Sequence, residues 1–224
     1  MFLGHFGVAF GAKRAAPRVS LGTLFTACQL ADLLWPTLVL LGIERFEIRP
    51  GITTVTPLDF VSYPYSHSLV ALSAWGVLFG TLYVLINRSR VATAITLALV
   101  VVSHWVLDVL VHRPDMPVTV NGTMRLGLGL WNSVPGTLIV ELSTFTAGVV
   151  LYARKTTARD RIGSVAFGSL VGFLLVVFFL NVLGPPPPSV GAVAWSAEAM
   201  WLLVIWAYWV DRHRMVTGMT DADR

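Results

Sequence analysis

Residues 91–117 read VATAITLALVVVSHWVLDVLVHRPDMP, an apolar run that ends in a cluster of imidazoles and carboxylates. The segment 91–111 is long and apolar enough to cross a bilayer as a helix. His104, Asp108 and His112 follow one another at intervals of four positions, so they share one face of such a helix. Ionisable groups are costly inside hydrocarbon, and these residue types bind divalent metals. The run therefore predicts a membrane span with a candidate site at its end.

The composition extends this prediction to the whole chain. Of 224 residues, 55% are apolar and only 12% are charged, whereas soluble domains carry about 25% charged residues. The mean hydropathy is +0.73. We therefore predict an all-α, polytopic membrane protein, with a single helical-bundle domain over residues 1–214 and a short polar tail over 215–224. The single cysteine, Cys28, excludes an intramolecular disulfide framework.

Six apolar segments approach or exceed the ~20 residues that a spanning helix needs. They are residues 21–43, 66–86, 91–111, 126–152, 162–183 and 191–210. Residues 2–12 are apolar but too short to cross, and they predict a half-helix or re-entrant segment that packs against the bundle. Because Lys13 and Arg14 follow this segment instead of preceding it, we do not expect a cleavable signal peptide.

Basic residues concentrate in alternate loops, which predicts the orientation in the membrane. They occupy residues 13–18, 87–90 and 153–161 and the start of the tail. The positive-inside rule places these loops, with both basic terminal segments, on the cytoplasmic side of a bacterial inner membrane. The exported side then holds the segments 44–65, 112–125 and 184–190, and we expect Asp59 there as a surface charge. The net charge of +4 lies in these short loops, so it does not indicate nucleic-acid binding.

Small residues in the apolar segments predict close contacts between helices. Gly76-x-x-x-Gly80 and Gly168-x-x-x-Gly172 have the spacing that lets two helix backbones approach. Residues 146–148 predict a further contact of this kind.

Several ionisable residues in or beside apolar segments need a partner or a role to offset their cost. They are His5, Asp32, His67, Glu141 and Glu198. At about 1.5 Å rise per residue, a polar funnel from the exported side would connect most of them with His104 and Asp108. A lone carboxylate in a span can instead serve only helix association. For Glu141 and Glu198 both interpretations stay open.

Four short motifs are spread over about the first 120 residues. They are LGHFG with His5, LADLLWP with Asp32, the pair Ser66–His67, and SHWVLDVLVH from Ser103 to His112. Together they resemble a family of bacterial membrane-bound, metal-dependent hydrolase-like proteins of the inner membrane. The resemblance implies five metal ligands: His5, Asp32, His67, His104 and Asp108. Many members carry a denser Pro-Asp-x-Asp-His at the first aspartate, and this departure puts a second metal ion in doubt.

A fainter likeness, to the zinc-dependent phospholipase C and P1 nuclease group, rests on the order His104, Asp108, His112, Pro114. Both resemblances imply a divalent metal, Zn²⁺ or Mn²⁺, and a phosphoester or lipid head-group as substrate. His112 and Asp115 would lie at the rim of the site, as general base or as groups that orient the ligands.

Three hypotheses for function follow. The favoured one is a metal-dependent hydrolase whose site opens to the exported face, with membrane lipids as its surroundings. The second is a proton- or cation-coupled transporter, because Asp32, Glu141 and Glu198 lie in three different spans. The third is a non-catalytic scaffold in which polar residues only fix helix packing. The sequence does not indicate the oligomeric state.

Overall fold

The computed structural model describes residues 1–218, and these are predominantly helical. The helices are α1 Leu3–Ala12, α2 Leu21–Cys28, α3 Leu30–Leu40, α4 Pro64–His67, α5 Leu69–Asn87, α6 Val91–Val111, α7 Val134–Lys155, α8 Arg161–Leu183, α9 Val190–Glu198 and α10 Met200–Arg212. Three two-stranded antiparallel ribbons lie between them: β1 Arg45–Ile48 with β2 Leu58–Ser62, β3 Met116–Pro117 with β4 Arg125–Leu126, and β5 Thr156–Ala158 with β6 Arg214–Val216. Helical bundles leave no backbone group unpaired in lipid, which accounts for this architecture.

Within residues 1–218, five helical segments are long and apolar enough to cross a membrane. They are α5, α6, α7, α8 and the joined pair α9–α10. The pair α2–α3 would be a sixth span if its two bent halves count as one. The predicted membrane-spanning helical fold is confirmed at that level, with five to six spans.

Side-chain caps set the beginnings of five helices. Ser20, Ser68, Ser133, Asp160 and Ser189 each accept a hydrogen bond from the backbone N–H three residues later. Such caps pair N–H groups that have no partner within the helix. For α6 the observed bounds are the predicted residues 91–111.

The first predicted span, 21–43, is broken instead of continuous. Helices α2 and α3 meet at Gln29 with a bend of 56°. The carbonyl of Cys28, the last residue of α2, accepts a 2.7 Å hydrogen bond from His104 Nδ1. Because carbonyls at a helix C-terminus lack intrahelical donors, the break leaves this oxygen available to another helix. It also places Asp32 in the first turn of α3.

Helix α1 packs inside the bundle, and Leu3, Phe6 and Phe10 are at most 1% exposed. It lies against α7 at a very close backbone approach. A Cβ atom on Gly148 would lie 1.9 Å from the carbonyl oxygen of Gly7. Glycine is therefore required on α7 at this crossing, as predicted for residues 146–148.

The two predicted glycine pairs behave differently. Gly76 and Gly80 of α5 face α6, where added Cβ atoms would lie 3.0 Å and 2.4 Å from the carbonyl oxygens of Ala98 and Ala94. In contrast, Gly168 and Gly172 of α8 have no described atom within 4 Å of an added Cβ. The prediction of a helix contact at Gly168 and Gly172 was wrong for the chain as described, because this face of α8 is unpacked.

The two ends of the bundle differ in chemistry. The segments that join α1 to α2, α5 to α6 and α7 to α8 lie at one end and are rich in basic residues. There β6 pairs with β5, so residues 214–216 are part of the folded bundle. At the other end the hairpin β1–β2 places Phe46 and Phe60 against Trp35, with ring centroids 4.9 Å and 5.6 Å from the indole.

We predict that Gly148→Ala destabilises the bundle by about 1–3 kcal/mol, because the added methyl group forces α1 and α7 apart. Thermal unfolding in detergent measures the change. Gly168→Ala is the matched control, since it also lies within an apolar helix and its added methyl group meets open space. Equal melting temperatures for the two variants would contradict the close α1–α7 contact.

Candidate metal centre

The structure brings together five polar side chains from four helices. His5 comes from α1, Asp32 from α3, His67 from α4, and His104 and Asp108 from α6. His5 Nε2 lies 3.1 Å from Asp108 Oδ1, and His104 Nε2 lies 3.2 Å from Asp108 Oδ2. The imidazoles of His5 and His104 stack with centroids 3.7 Å apart. These residues are separated by up to 103 positions in the chain, so only the fold assembles them.

Two groups of three ligand atoms could each hold a metal ion. One group is His5, His104 and Asp108, and the other is Asp32, His67 and His104. In each group all ligand atoms lie within 4.8 Å of one another. In the second, Asp32 Oδ1 is 3.3 Å from His67 Nε2 and 3.7 Å from His104 Nε2. His104 therefore stands between the two carboxylates.

These groups are enclosed by the protein. The exposed fractions of His5, His67, His104 and Asp108 are only 1–3%. Asp32 keeps 24% of its side-chain surface accessible. Two carboxylates at such close quarters repel each other and lose hydration, so they need nearby positive charge.

The hydrogen bond of His104 fixes which ring nitrogen bears the proton. Its Nδ1 contacts the Cys28 carbonyl oxygen, and a carbonyl can only accept, so Nδ1 carries the hydrogen. Nε2 of the neutral ring is then a lone pair directed toward the carboxylates of Asp32 and Asp108. This buried nitrogen forms no hydrogen bond to any described residue. A cation between the imidazole and the carboxylates would resolve this conflict, and the donor set of imidazole nitrogen and carboxylate oxygen fits a divalent transition metal.

The Nδ1 atom of His67 contacts a side chain, whereas Nδ1 of His104 contacts a backbone carbonyl. Its Nδ1 lies 2.7 Å from Ser66 Oγ, which in turn lies 2.5 Å from Glu44 Oε2. Glu44 is 1% exposed. Sequence reasoning missed this residue, because it lies in a charged loop before β1 and its contact with α4 depends on tertiary folding.

His112 and Asp115 are paired beside the five ligands. His112 Nδ1 lies 3.0 Å from Asp115 Oδ1, and His112 Nε2 lies 4.0 Å from Asp108 Oδ2. Burial lowers the pKa of His112, while the bond to Asp115 opposes that shift. The pair is 3% and 5% exposed beneath Phe60 and Trp131. They therefore lie under a cover formed by β2 and by the 3-10 turn Leu130–Asn132, whereas the sequence predicted an open rim.

Asp115 is held by two further side chains. It accepts hydrogen bonds from the Tyr63 hydroxyl at 3.2 Å and from Arg113 Nε at 3.0 Å. Burial and the Asp115 carboxylate raise the pKa of Tyr63 well above its usual value, so the phenol remains a donor. Arg113 also contacts Asp59, which forms a second ion pair with Arg49. The prediction of Asp59 as a surface charge was wrong, since it is 6% exposed and lies in this network.

Glu141 acts as a cap for α1. Its carboxylate accepts hydrogen bonds from the backbone N–H of Phe2 at 2.9 Å and of Gly4 at 2.8 Å. Phe2 itself offers no side-chain cap. The α-amino group of Met1, next to these donors, contacts Asp108. Glu141 thus lies beside the candidate centre and holds the helix that carries His5.

Glu198 lies elsewhere in the bundle. It accepts a 2.5 Å hydrogen bond from Thr37 Oγ1 on α3. Within residues 1–218 it forms no hydrogen bond or ion pair with the five candidate ligands. Of the two glutamates, Glu141 therefore lies beside the candidate centre, whereas Glu198 connects α9 to α3.

The chain matches no family model, and no curated protein or solved structure is significantly similar to it. The resemblance to hydrolase-like membrane proteins therefore stays an expectation.

We predict that Glu141→Ala lowers the free energy of unfolding by about 1–3 kcal/mol, because two buried N–H groups lose their acceptor. Glu141→Gln keeps one acceptor oxygen and should cost less. Thermal unfolding in detergent ranks the variants. If Glu141→Ala unfolds at the wild-type temperature, the capping role is refuted.

Proposed function

We propose that the protein is a metal-dependent hydrolase of the membrane, with a divalent metal bound by His5, Asp32, His67, His104 and Asp108. One observation carries the proposal: His104 Nε2 is buried, lies 3.2 Å from an Asp108 oxygen and 3.7 Å from an Asp32 oxygen, and forms no hydrogen bond among the described residues. Structural packing alone would place a donor between such groups. A metal cation meets the need for positive charge and uses all the ligand types present.

The mixture of imidazoles and carboxylates favours Zn²⁺ or Mn²⁺. When bound, such an ion lowers the pKa of a coordinated water to about 7 and polarises a carbonyl or phosphoryl oxygen. The second group of ligands would allow a second ion, with His104 at the boundary between the two. Asp32 belongs to this second group, and the chain lacks the denser Pro-Asp-x-Asp-His that many members of the resembled family carry there. The support for a second ion is therefore weaker than for the first.

The contacts of His112 suit it to act as a general base. Asp115 holds its Nδ1–H, so its Nε2 is available to accept a proton, and it faces Asp108 at 4.0 Å. Arg113 and Tyr63 bind the other side of Asp115 and keep the pair oriented. The aromatic rings of Phe60 and Trp131 exclude water from the opposite face of the imidazole.

The position in the bundle favours a site on the exported side of an inner membrane. The ligands lie at the end opposite the basic segments, which the positive-inside rule assigns to the cytoplasm. Asp32 is the most accessible of the five ligands, so a substrate would approach past it. A lipid head-group or another phosphoester fits a membrane-embedded metal centre, and this substrate class rests on the resemblance.

The alternatives have less support in the contacts. A cation path through Asp32, Glu141 and Glu198 would need these three carboxylates to line one continuous pathway. Glu141 instead caps α1, and Glu198 pairs with Thr37. A scaffold would leave the buried Nε2 of His104 without a hydrogen-bond partner among the described residues.

We predict about one equivalent or more of zinc or manganese in protein purified without chelator. The double variant His104→Ala with Asp108→Ala should lose this metal, because His104 belongs to both groups of ligands and Asp108 to the first. Elemental analysis by mass spectrometry measures the content. The control is His213→Ala, at the basic end of the bundle, which should keep its metal. A metal-free wild type would exclude the proposed centre.

We predict that His112→Gln keeps its metal but hydrolyses a test phosphodiester, bis(p-nitrophenyl) phosphate, about 10²–10⁴ times more slowly. The glutamine cannot accept a proton from water as imidazole does. Release of p-nitrophenol measures the rate, with His213→Gln as the control. Unchanged hydrolysis in a metal-loaded His112→Gln protein would rule out this base.

A further inference from the structure

Glu44 is a buried carboxylate whose partners are all hydrogen-bond donors. Its Oε1 accepts from the backbone N–H groups of Tyr65 at 2.8 Å and Ser66 at 2.9 Å, and its Oε2 from the Ser66 hydroxyl at 2.5 Å. None of the cations in residues 1–218 forms an ion pair with it. A buried carboxylate is expensive unless such donors satisfy it. Its position is therefore determined by these three bonds.

These bonds fix the direction of every hydrogen along the path to His67. A carboxylate only accepts, so the Ser66 O–H points to Glu44. Ser66 Oγ can then only accept from His67 Nδ1, which lies 2.7 Å away. Nδ1 therefore bears a proton, and Nε2 is the nitrogen that faces Asp32 Oδ1 at 3.3 Å.

We propose that Glu44 is a positioning residue that sets the protonated nitrogen of His67 through Ser66, so that Nε2 can bind a cation. The proposal rests on the proposed function only for the identity of that cation. Metal-binding histidines commonly donate their second N–H to such a partner, which fixes the ring and its tautomer. His104 has the same arrangement through a backbone carbonyl, which no side-chain substitution can alter. His67 is the ligand whose tautomer a single exchange of side chain can reverse.

Glu44→Gln is the test, because it changes hydrogen-bond direction with almost no change in shape. The glutamine oxygen must stay on the N–H groups of Tyr65 and Ser66, so its amide group donates to Ser66 Oγ. The hydroxyl must then donate to His67 Nδ1, which can no longer carry a proton. We expect ¹⁵N spectra of metal-free, histidine-labelled protein to show a protonated Nδ1 in wild type and an unprotonated one in Glu44→Gln. The His67 signals are assigned by their loss in His67→Gln.

Glu47→Gln is the matched control, since it makes the same chemical change three residues away on an exposed side chain paired with Arg49. It should leave the His67 signals as in wild type. An unprotonated Nδ1 in wild type, or a protonated Nδ1 in Glu44→Gln, overturns the proposal. If Glu44→Gln does not fold, Ser66→Ala replaces it, and this variant should lose the exclusive protonation of Nδ1. An Nδ1 that remains fully protonated in Ser66→Ala equally overturns it.

Metal affinity separates this inference from the proposed function. Competition with a chelator should show Zn²⁺ binding about 10–100 times weaker in Glu44→Gln than in wild type or Glu47→Gln. Equal affinity in all three proteins overturns the positioning role. If wild type binds neither Zn²⁺ nor Mn²⁺, the proposed function fails, while reversal of the His67 signals still supports the role of Glu44.

Discussion

The arrangement of the polar end of the bundle depends on one constraint: the carboxylates of Asp32 and Asp108 both lie beside His104 Nε2, at 3.7 Å and 3.2 Å. Charges removed from water are costly, and like charges at short range add to that cost. The fold places imidazoles from three helices and the α-amino group of Met1 directly against these carboxylates. The polar end of this bundle is thus organised by charge balance, and the remainder by apolar packing.

A second principle is that three of the imidazoles, those of His67, His104 and His112, are each held by a hydrogen bond at Nδ1. His104 is held by a backbone carbonyl, His67 by a serine and His112 by an aspartate. All three bonds use Nδ1, so all three Nε2 atoms face toward the carboxylates. The bend at Gln29 and the loop with Glu44 are therefore parts of the centre, although neither contributes a ligand.

Patterns that depend on local composition were predictable from the sequence. The bounds of α6 follow from an uninterrupted apolar run, and the convergence of His5 with His104 was suggested by depth and residue type. The break between α2 and α3 was not predictable, because neither glycine nor proline, the usual helix breakers, stands at the bend at Gln29. The carbonyl that the break leaves free pairs with a side chain 76 positions away. The contacts of Asp59 and Glu44 are long-range in the same way, and nothing in their local sequence indicates burial.

The capping of α1 by Glu141 has a consequence for biogenesis. A helix of ten residues cannot span a bilayer, and its first N–H groups find their acceptor on α7, about 140 residues further along the chain. During synthesis, α1 therefore lacks these two hydrogen bonds until α7 has been made and inserted. Because α1 carries His5, the centre is completed only after α7 is in place, although α1 precedes the other ligand-bearing helices in the chain.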